Sequence, residues 1–283
     1  MRIAMTGTTG MLGQVLCPLL SRHHDIQPLP IDRLDITSLE DTRWQIAQAR
    51  PDWVVHVAAF TQVDEAETKP LEAYRINAVG TRNVAIAAQE AGAGVVYFST
   101  DYVFNGRKKE PYREWDAPNP INHYGQSKLA GEIYVQTLCP KHLIIRTSWL
   151  FGPGGINFVE KILQRAAQNQ RIQVVDDQRG SPTFTLDLAD MTLKLLERGS
   201  QGIYHVTNLG SCTWHEFARE IVSRRNLETT VVPVNSSAFS APAVRPEYSV
   251  LDNYMLKCEG IPLLPPWQDA VARYLRSTGD GPR

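Results

Sequence analysis

Apolar positions along this chain fall into two rhythms. Short runs that are apolar almost without a break alternate with longer stretches in which apolar residues recur every third or fourth position. "RIAMTG", "DWVVHVAA", "GVVYFSTDYVF" and "HLIIRTSWLFG" are of the first kind and predict strands buried on both faces. "DIQPLPI" predicts a weaker strand, because its prolines remove ladder donors. Between these runs, "MLGQVLCPLLSRHH", "SLEDTRWQIAQARP", "PLEAYRINAVGTRNVAIAAQEAG" and "GQSKLAGEIYVQTL" carry helical spacing. Pro18 is a point of irregularity in the first of them, Pro51 stops the second and Gly92 closes the third.

Beyond about residue 150 the pattern loosens. "NFVEKILQRAAQNQ" and "TFTLDLADMTLKLLERG" read as helices and "RIQVVDDQ" as a strand, while "GIYHVTN" reads as a strand able to return to the first half. "TWHEFAREIVSRRN" is a helix with Thr213 as N-cap and Glu216 three residues later, a capping box. "VNSSAFSAPAVRPEYS" is a loop, "PPWQDAVARYLRS" a closing helix and "TGDGPR" a frayed tail. Repeated strand–helix–strand units predict an α/β fold, a Rossmann-type doubly wound parallel sheet with a smaller C-terminal lobe. Residues 1–150 are expected to form a dinucleotide-binding domain, joined by a returning strand near 202–208. Residues 151–283 are expected to form mainly a substrate-binding lobe, partly interleaved with the first.

Composition narrows the class without choosing a function. Of 283 residues, 43% are hydrophobic and 21% charged, as in an ordinary globular protein. A formal net charge of −1 gives no electrostatic case for a nucleic-acid partner or a membrane surface. No apolar run approaches the length of a membrane span, and the N-terminus enters a strand at once with no signal-peptide pattern. Cys17, Cys139, Cys212 and Cys258 are widely spaced and form no C-x-x-C pair, so they read as thiols in a reducing compartment. A cytoplasmic protein is the expectation.

Ligands of doubly wound sheets lie beyond the carboxyl ends of the strands. The polar strand ends are therefore where chemistry is expected. "GTTGMLG" places Gly7, Gly10 and Gly13, with Met11 and Leu12 between them, between a strand and a helix. Such a turn lets backbone N–H groups approach a pyrophosphate, and the helix N-terminus adds partial positive charge. Further on, "PIDRLDIT" offers Asp32 to accept from ribose hydroxyls, as NAD needs, or Arg33 to meet a 2′-phosphate; both also read as solvated loop charges. Asp35 and Ile36 could line an adenine pocket. Ala58 and Ala59 are small enough for a cofactor to pass closely. Asn77 sits in mid-helix, where asparagine is unfavourable without a purpose, structural or catalytic.

"INHYGQSKLAGE" contains the chain's one Y-x-x-x-K, Tyr124 and Lys128, which a helix sets on one face. An unperturbed tyrosine titrates near 10. A neighbouring ammonium stabilises the phenolate and lowers that value, so the tyrosine can exchange a proton with a carbonyl oxygen. Ser99, Thr100 and Asp101 end the fourth strand, where a hydroxyl could orient such a carbonyl or simply cap the strand. Trp149 could cover a sugar face or fill the core, and Arg245 could meet a phosphate or pair at the surface. The histidines show no metal-ligand spacing, and no metal site is expected.

Taken together, these residues resemble the extended short-chain dehydrogenase/reductase family. "STDYVFNG", "YGQSKLAGE", "RTSWLFG", "NFV", "DDQRGSPT" and "RPEYSVLD" look like its dTDP-4-dehydrorhamnose reductase branch, over nearly the whole chain. The resemblance implies reduction of the C4 ketone of a dTDP-4-dehydro sugar by NADPH or NADH. Carried over, Tyr124 is the proton donor, Lys128 its electrostatic and ribose partner, and Thr100 the hydroxyl on the carbonyl. Asp101 and Trp149 match substrate-pocket positions. Some members form a dimer bridged by magnesium on acidic side chains. The matching positions here are Val15 and Leu186, which cannot ligate a hard cation, so a monomer or a metal-free homodimer is expected. Another deoxysugar ketoreductase, an epimerase, or a regulatory subunit like that of methionine adenosyltransferase are the alternatives.

Overall fold

The computed structural model describes residues 1–279. Strand β1 (Arg2–Thr6) turns into helix α1 (Met11–Ser21), followed by β2 (Asp25–Leu29) and α2 (Leu39–Ala49). β3 (Trp53–His56) leads through α3 (Val63–Thr68) and α4 (Pro70–Tyr74) to α5 (Thr81–Glu90) and β4 (Gly94–Thr100). Next come α6 (His123–Leu138), β5 (His142–Thr147) and β6 (Leu150–Phe151). The second half holds α7 (Phe158–Gln168), β7 (Arg171–Val175), β8 (Arg179–Gly180), β9 (Thr183–Phe184) and α8 (Thr185–Glu197). It ends with β10 (Gly202–His205), β11 (Cys212–Thr213), α9 (Trp214–Arg224), β12 (Thr230–Val234), α10 (Tyr254–Cys258) and α11 (Trp267–Ser277).

Six of these strands form one parallel sheet in the order β10-β5-β4-β3-β1-β2. The proline-bearing β2 occupies one edge, where a strand short of a donor can sit. Side-chain alternation assigns each strand to two cores. Ile3, Met5, Val55, Val96, Phe98 and Ile145 pack against Leu12, Leu16 and Leu20 of α1 and Leu188 and Met191 of α8. Ala4, Val54, Val95, Tyr97 and Ile144 face Ile46, Val84, Ala88 and Val135 of α2, α5 and α6. A third cluster, with Phe151, Phe217, Trp267 and Tyr274, joins elements of the second half of the chain.

Two predicted elements are broken in the structure. The single helix expected over "PLEAYRINAVGTRNVAIAAQEAG" contains a π-helical segment, Arg75–Gly80, between α4 and α5. Asn77 lies in it, and its tertiary hydrogen bonds account for the extra residue in the turn. The strand expected over "HLIIRTSWLFG" is cut at Trp149, whose φ of 47° redirects the chain. Leu150 and Phe151 then pair with Thr183 and Phe184 instead of extending the main sheet. Pro18 lies exposed within α1 and does not end it. The last four residues of the expected frayed tail, 280–283, lie outside the described residues. No described helix is long and apolar enough to cross a membrane.

Candidate active site

The glycine turn after β1 is shaped by close approach. Gly7 has φ 68°, and a Cβ there would lie 2.4 Å from the backbone nitrogen of Ala58. A Cβ on Gly13 would lie 2.1 Å from the carbonyl oxygen of Gly7. The turn is thereby pressed between α1 and the end of β3, with half-buried Ala58 and Ala59 beside it. Gly10 is the N-cap of α1, with no side-chain cap and no acidic residue in the first turn. The first-turn N–H groups, including those of Met11 and Leu12, meet no side-chain acceptor at this end, and the helix dipole favours an anion there. These features fit the pyrophosphate of a dinucleotide.

At the end of β2, Asp32 and Arg33 are exposed, and neither makes an ion pair among the described residues. Asp35 accepts from the backbone nitrogen and the hydroxyl of Thr37, at 2.9 and 2.8 Å, which lowers its pKa. Ile36 is buried against Gly80 and accepts a hydrogen bond from Asn83 at 2.9 Å.

Helix α6 carries Tyr124 and Lys128 and is fixed at three heights. Asn122 caps it, accepting from the backbone nitrogen of Gly125 at 2.8 Å. The Tyr97 hydroxyl donates to the carbonyl of Lys128 at 3.2 Å. Below, Glu132 accepts two hydrogen bonds, at 2.9 and 2.7 Å, from Arg146 of β5, and both side chains are fully buried. Breaking such a pair from one side typically costs about 3–5 kcal/mol, so the helix is held firmly against the sheet.

At the end of β4, Thr100 accepts from the backbone nitrogen of Tyr102 at 3.2 Å and donates to Asp101 at 3.0 Å. Tyr124 hydrogen-bonds to Thr100 in turn. The other oxygen of Asp101 accepts from the Ser249 hydroxyl. A continuous line therefore runs from Tyr124 through Thr100 to Asp101 and Ser249. Burial raises the pKa of Asp101 to about 7, against the hydrogen bonds that favour its charged form.

The electrostatics of Tyr124 differ from the expectation. Burial and then the Asp101 charge push the Tyr124 pKa up, where the sequence reading had the lysine lowering it. Burial pulls Lys128 down to about 7, opposed by Glu132. Desolvation is the largest cause of both shifts, and neither group is among the causes of the other's, with Lys128 buried and Tyr124 half-buried. A raised tyrosine keeps its proton at neutral pH, which suits a proton donor. The Lys128 ammonium lies over the Tyr97 ring, 4.1 Å from its centroid. His56 beneath it is held neutral, its pKa near 3, by burial and the lysine charge.

The remaining expected residues fall around this line. Asn77 accepts from the backbone nitrogen of Phe60 at 2.8 Å, and donates to the Phe60 carbonyl and the Ser127 hydroxyl, each at 2.9 Å. Its amide thus ties the segment after β3 to the helix of Tyr124. Ser99 is buried, and its hydroxyl has no protein partner among the described residues. Arg245 forms two hydrogen bonds with Asp64, at 2.9 and 2.8 Å, and one with Tyr102. The Tyr102 ring stands edge-on to Tyr124. Trp149 is stacked on Trp214 at the start of α9.

Several residues that build the site escaped the sequence reading: Asn122, Ser127, Glu132, Arg146, Trp214 and Ser249. Two carried a readable signal. Asn122 is a strong capping residue just before a helix, and Arg146 is a charge inside an apolar strand, which demands a buried partner. Val15 packs against the core and Leu186 is 41% exposed. Among the described residues no group of three or more His, Cys, Asp or Glu side chains could hold a metal.

The family model described as RmlD substrate binding domain matches residues 1–279. The dTDP-4-dehydrorhamnose reductase of Streptomyces griseus is 42% identical over 278 residues, covering 95% of this chain and 91% of that protein. The spore coat polysaccharide biosynthesis protein SpsK of Bacillus subtilis is 40% identical, covering 97% of each. A crystal structure of dTDP-4-dehydrorhamnose reductase from Bacillus anthracis in complex with NADP superposes with a TM-score of 0.95. It shares 44% identity, over 98% of this chain and 99% of that one.

Proposed function

The chain belongs to the RmlD substrate binding domain family, and on that premise we propose that it reduces the C4 ketone of dTDP-4-dehydro-β-L-rhamnose, giving dTDP-L-rhamnose. The observation that carries this reading is the hydrogen-bonded line Tyr124–Thr100–Asp101 at the carboxyl end of β4, beside Lys128. The cofactor is NADPH or NADH, held at its pyrophosphate by Gly7, Gly10, Met11, Leu12 and Gly13. Asp32, Arg33, Asp35 and Ile36 face its adenosine end, and Ala58, Ala59, Asn77 and Ser99 lie along its path. Bound there, the reduced nicotinamide supplies the hydride that reaches the ketone carbon.

The chain's own groups manage the oxygen. Tyr124, held protonated by burial, gives its proton to the ketone oxygen as negative charge develops there. Thr100 orients the same oxygen through its hydroxyl. Lys128 balances the charge left on Tyr124 and reaches the nicotinamide ribose. Asp101, Trp149 and Arg245 form the sugar-nucleotide side of the pocket, with Arg245 fixed there by Asp64. In this reading the protein is cytoplasmic, a monomer or metal-free homodimer. Residues 1–150 with β10 serve the cofactor, and most of 151–283 the sugar.

The test is turnover with the dTDP-4-dehydro sugar, followed by loss of nicotinamide absorbance with NADPH and NADH separately. Tyr124→Phe should lower kcat at least a hundredfold and leave NADP affinity within twofold of wild type, since one positioned proton donor contributes about 10²–10⁴ in rate. A Tyr124→Phe enzyme that turns over at the wild-type rate overturns the assignment.

A further inference from the structure

Trp149 has its backbone in the left-handed region, with φ 47°. A residue with a β-carbon adopts that region only when its surroundings hold it there. The structure shows what holds it. The Trp149 and Trp214 indoles lie face to face, ring centroids 3.4 Å apart and planes within 5°. The rim of the Trp149 indole lies on Gly180, where a Cβ would come within 2.5 Å of Cε2. Trp214 is backed in turn by Phe158, at 4.5 Å between centroids.

Indole pairs free to slide favour offset or edge-on contact over full overlap. This overlap is therefore imposed by the two backbones. On the Trp149 side it is imposed by the left-handed turn. On the Trp214 side it is imposed by the start of α9, where Thr213 and Glu216 form a capping box. That start is tied down twice more: Thr213 donates to Asp176, and Arg179 pairs with Glu216 at 3.0 Å. Arg179 also exchanges backbone hydrogen bonds with Glu247 and Ser249, and Ser249 bonds to Asp101. The stack is thus built into the same framework that carries the catalytic line.

We propose that Trp214 is a positioning residue for sugar-nucleotide recognition. It fixes the plane of the Trp149 indole, and so the wall of the pocket, without itself touching the reacting ketone. The inference rests on the reading of Trp149 as a substrate-pocket residue. It makes affinity for the sugar nucleotide depend on a helix outside the cofactor-binding half, while affinity for the cofactor does not.

The test compares wild type, Trp214→Leu and Trp214→Phe as full chains. Calorimetry gives Kd for dTDP-L-rhamnose and for NADP, and far-ultraviolet circular dichroism reports the exciton couplet of the stacked indoles. The expected result is an exciton couplet in wild type only. Trp214→Leu should bind dTDP-L-rhamnose about tenfold more weakly, with NADP affinity within twofold of wild type. Trp214→Phe, whose smaller ring covers less of the Trp149 indole, should bind dTDP-L-rhamnose about threefold more weakly than wild type and serves as the readout if the leucine variant does not fold. Equal dTDP-L-rhamnose affinity in wild type and a folded variant overturns the inference, as does parallel weakening of both ligands. A wild type that binds NADP but not dTDP-L-rhamnose defeats the functional reading as well, which separates the two failures.

Discussion

Replacing Lys128 with methionine is expected to stabilise the ligand-free protein at pH 6 while removing its turnover. Lys128 is 3% exposed, and burial pulls its pKa from 10.5 to about 7. Each tenfold change in proton affinity corresponds to about 1.4 kcal/mol, which caps the cost of the buried charge at roughly 4–5 kcal/mol. Methionine keeps most of the packing but gives up the ammonium over the Tyr97 ring, a contact worth about 1–2 kcal/mol when dry. The net gain expected for Lys128→Met is therefore about 2–4 kcal/mol.

The pH dependence follows from the direction of the shift. The folded pKa is below the unfolded one, so between about pH 7 and 10.5 the unfolded chain holds the extra proton. Wild-type stability then rises with pH through that window. The advantage of Lys128→Met should be full at pH 6 and much smaller near pH 10. Urea denaturation of both proteins at the two pH values measures it, and the difference between them cancels the other titrating groups. A methionine variant less stable than wild type at pH 6 would refute the reasoning. So would an advantage that does not change with pH.

Two further outcomes follow from the site's geometry. Gly13→Ala should abolish NADP binding or folding, because its Cβ meets the Gly7 carbonyl oxygen at 2.1 Å, whereas Gly10→Ala, whose nearest atom is 3.6 Å away, should retain both; NADP calorimetry on the two variants decides, and equal affinity would sink the packing argument. Burial raises the folded pKa of Asp101 from 3.8 to about 7, so the stability this group contributes is present below pH 3.8 and lost as pH rises through 7. Asp101→Asn should accordingly gain in Tm over wild type between pH 5 and pH 8, and a gap of constant size would count against the assignment.

Much of this was legible in the sequence where one local rule decided the outcome. "WVVH" and "GVVYFST" are apolar throughout because both faces of those strands are covered, and they form the centre of the sheet. The glycine turn was readable because its spacing follows from close backbone approach. What the sequence concealed depends on partners far away along the chain. Asn77 adds a π-helical turn only because Phe60 and Ser127 are there to bind its amide. Arg245 meets Asp64 across 181 positions, a pairing that no local pattern encodes. The direction of the Tyr124 shift was misjudged for a similar reason. Spacing put the two side chains on one face, but their pKa values are set by how completely the sheet and α6 exclude water from them.

The central claim is that this site delivers reducing equivalents to C4 of a dTDP-4-dehydro sugar. Turnover of dTDP-4-dehydro-β-L-rhamnose with NADPH carrying deuterium at nicotinamide C4, each diastereomer used separately, tests it most directly. The account predicts that one of the two labelled cofactors places deuterium at C4 of the sugar, as read by NMR of purified dTDP-L-rhamnose. Product without deuterium from either cofactor, or with deuterium at another sugar carbon, would contradict it.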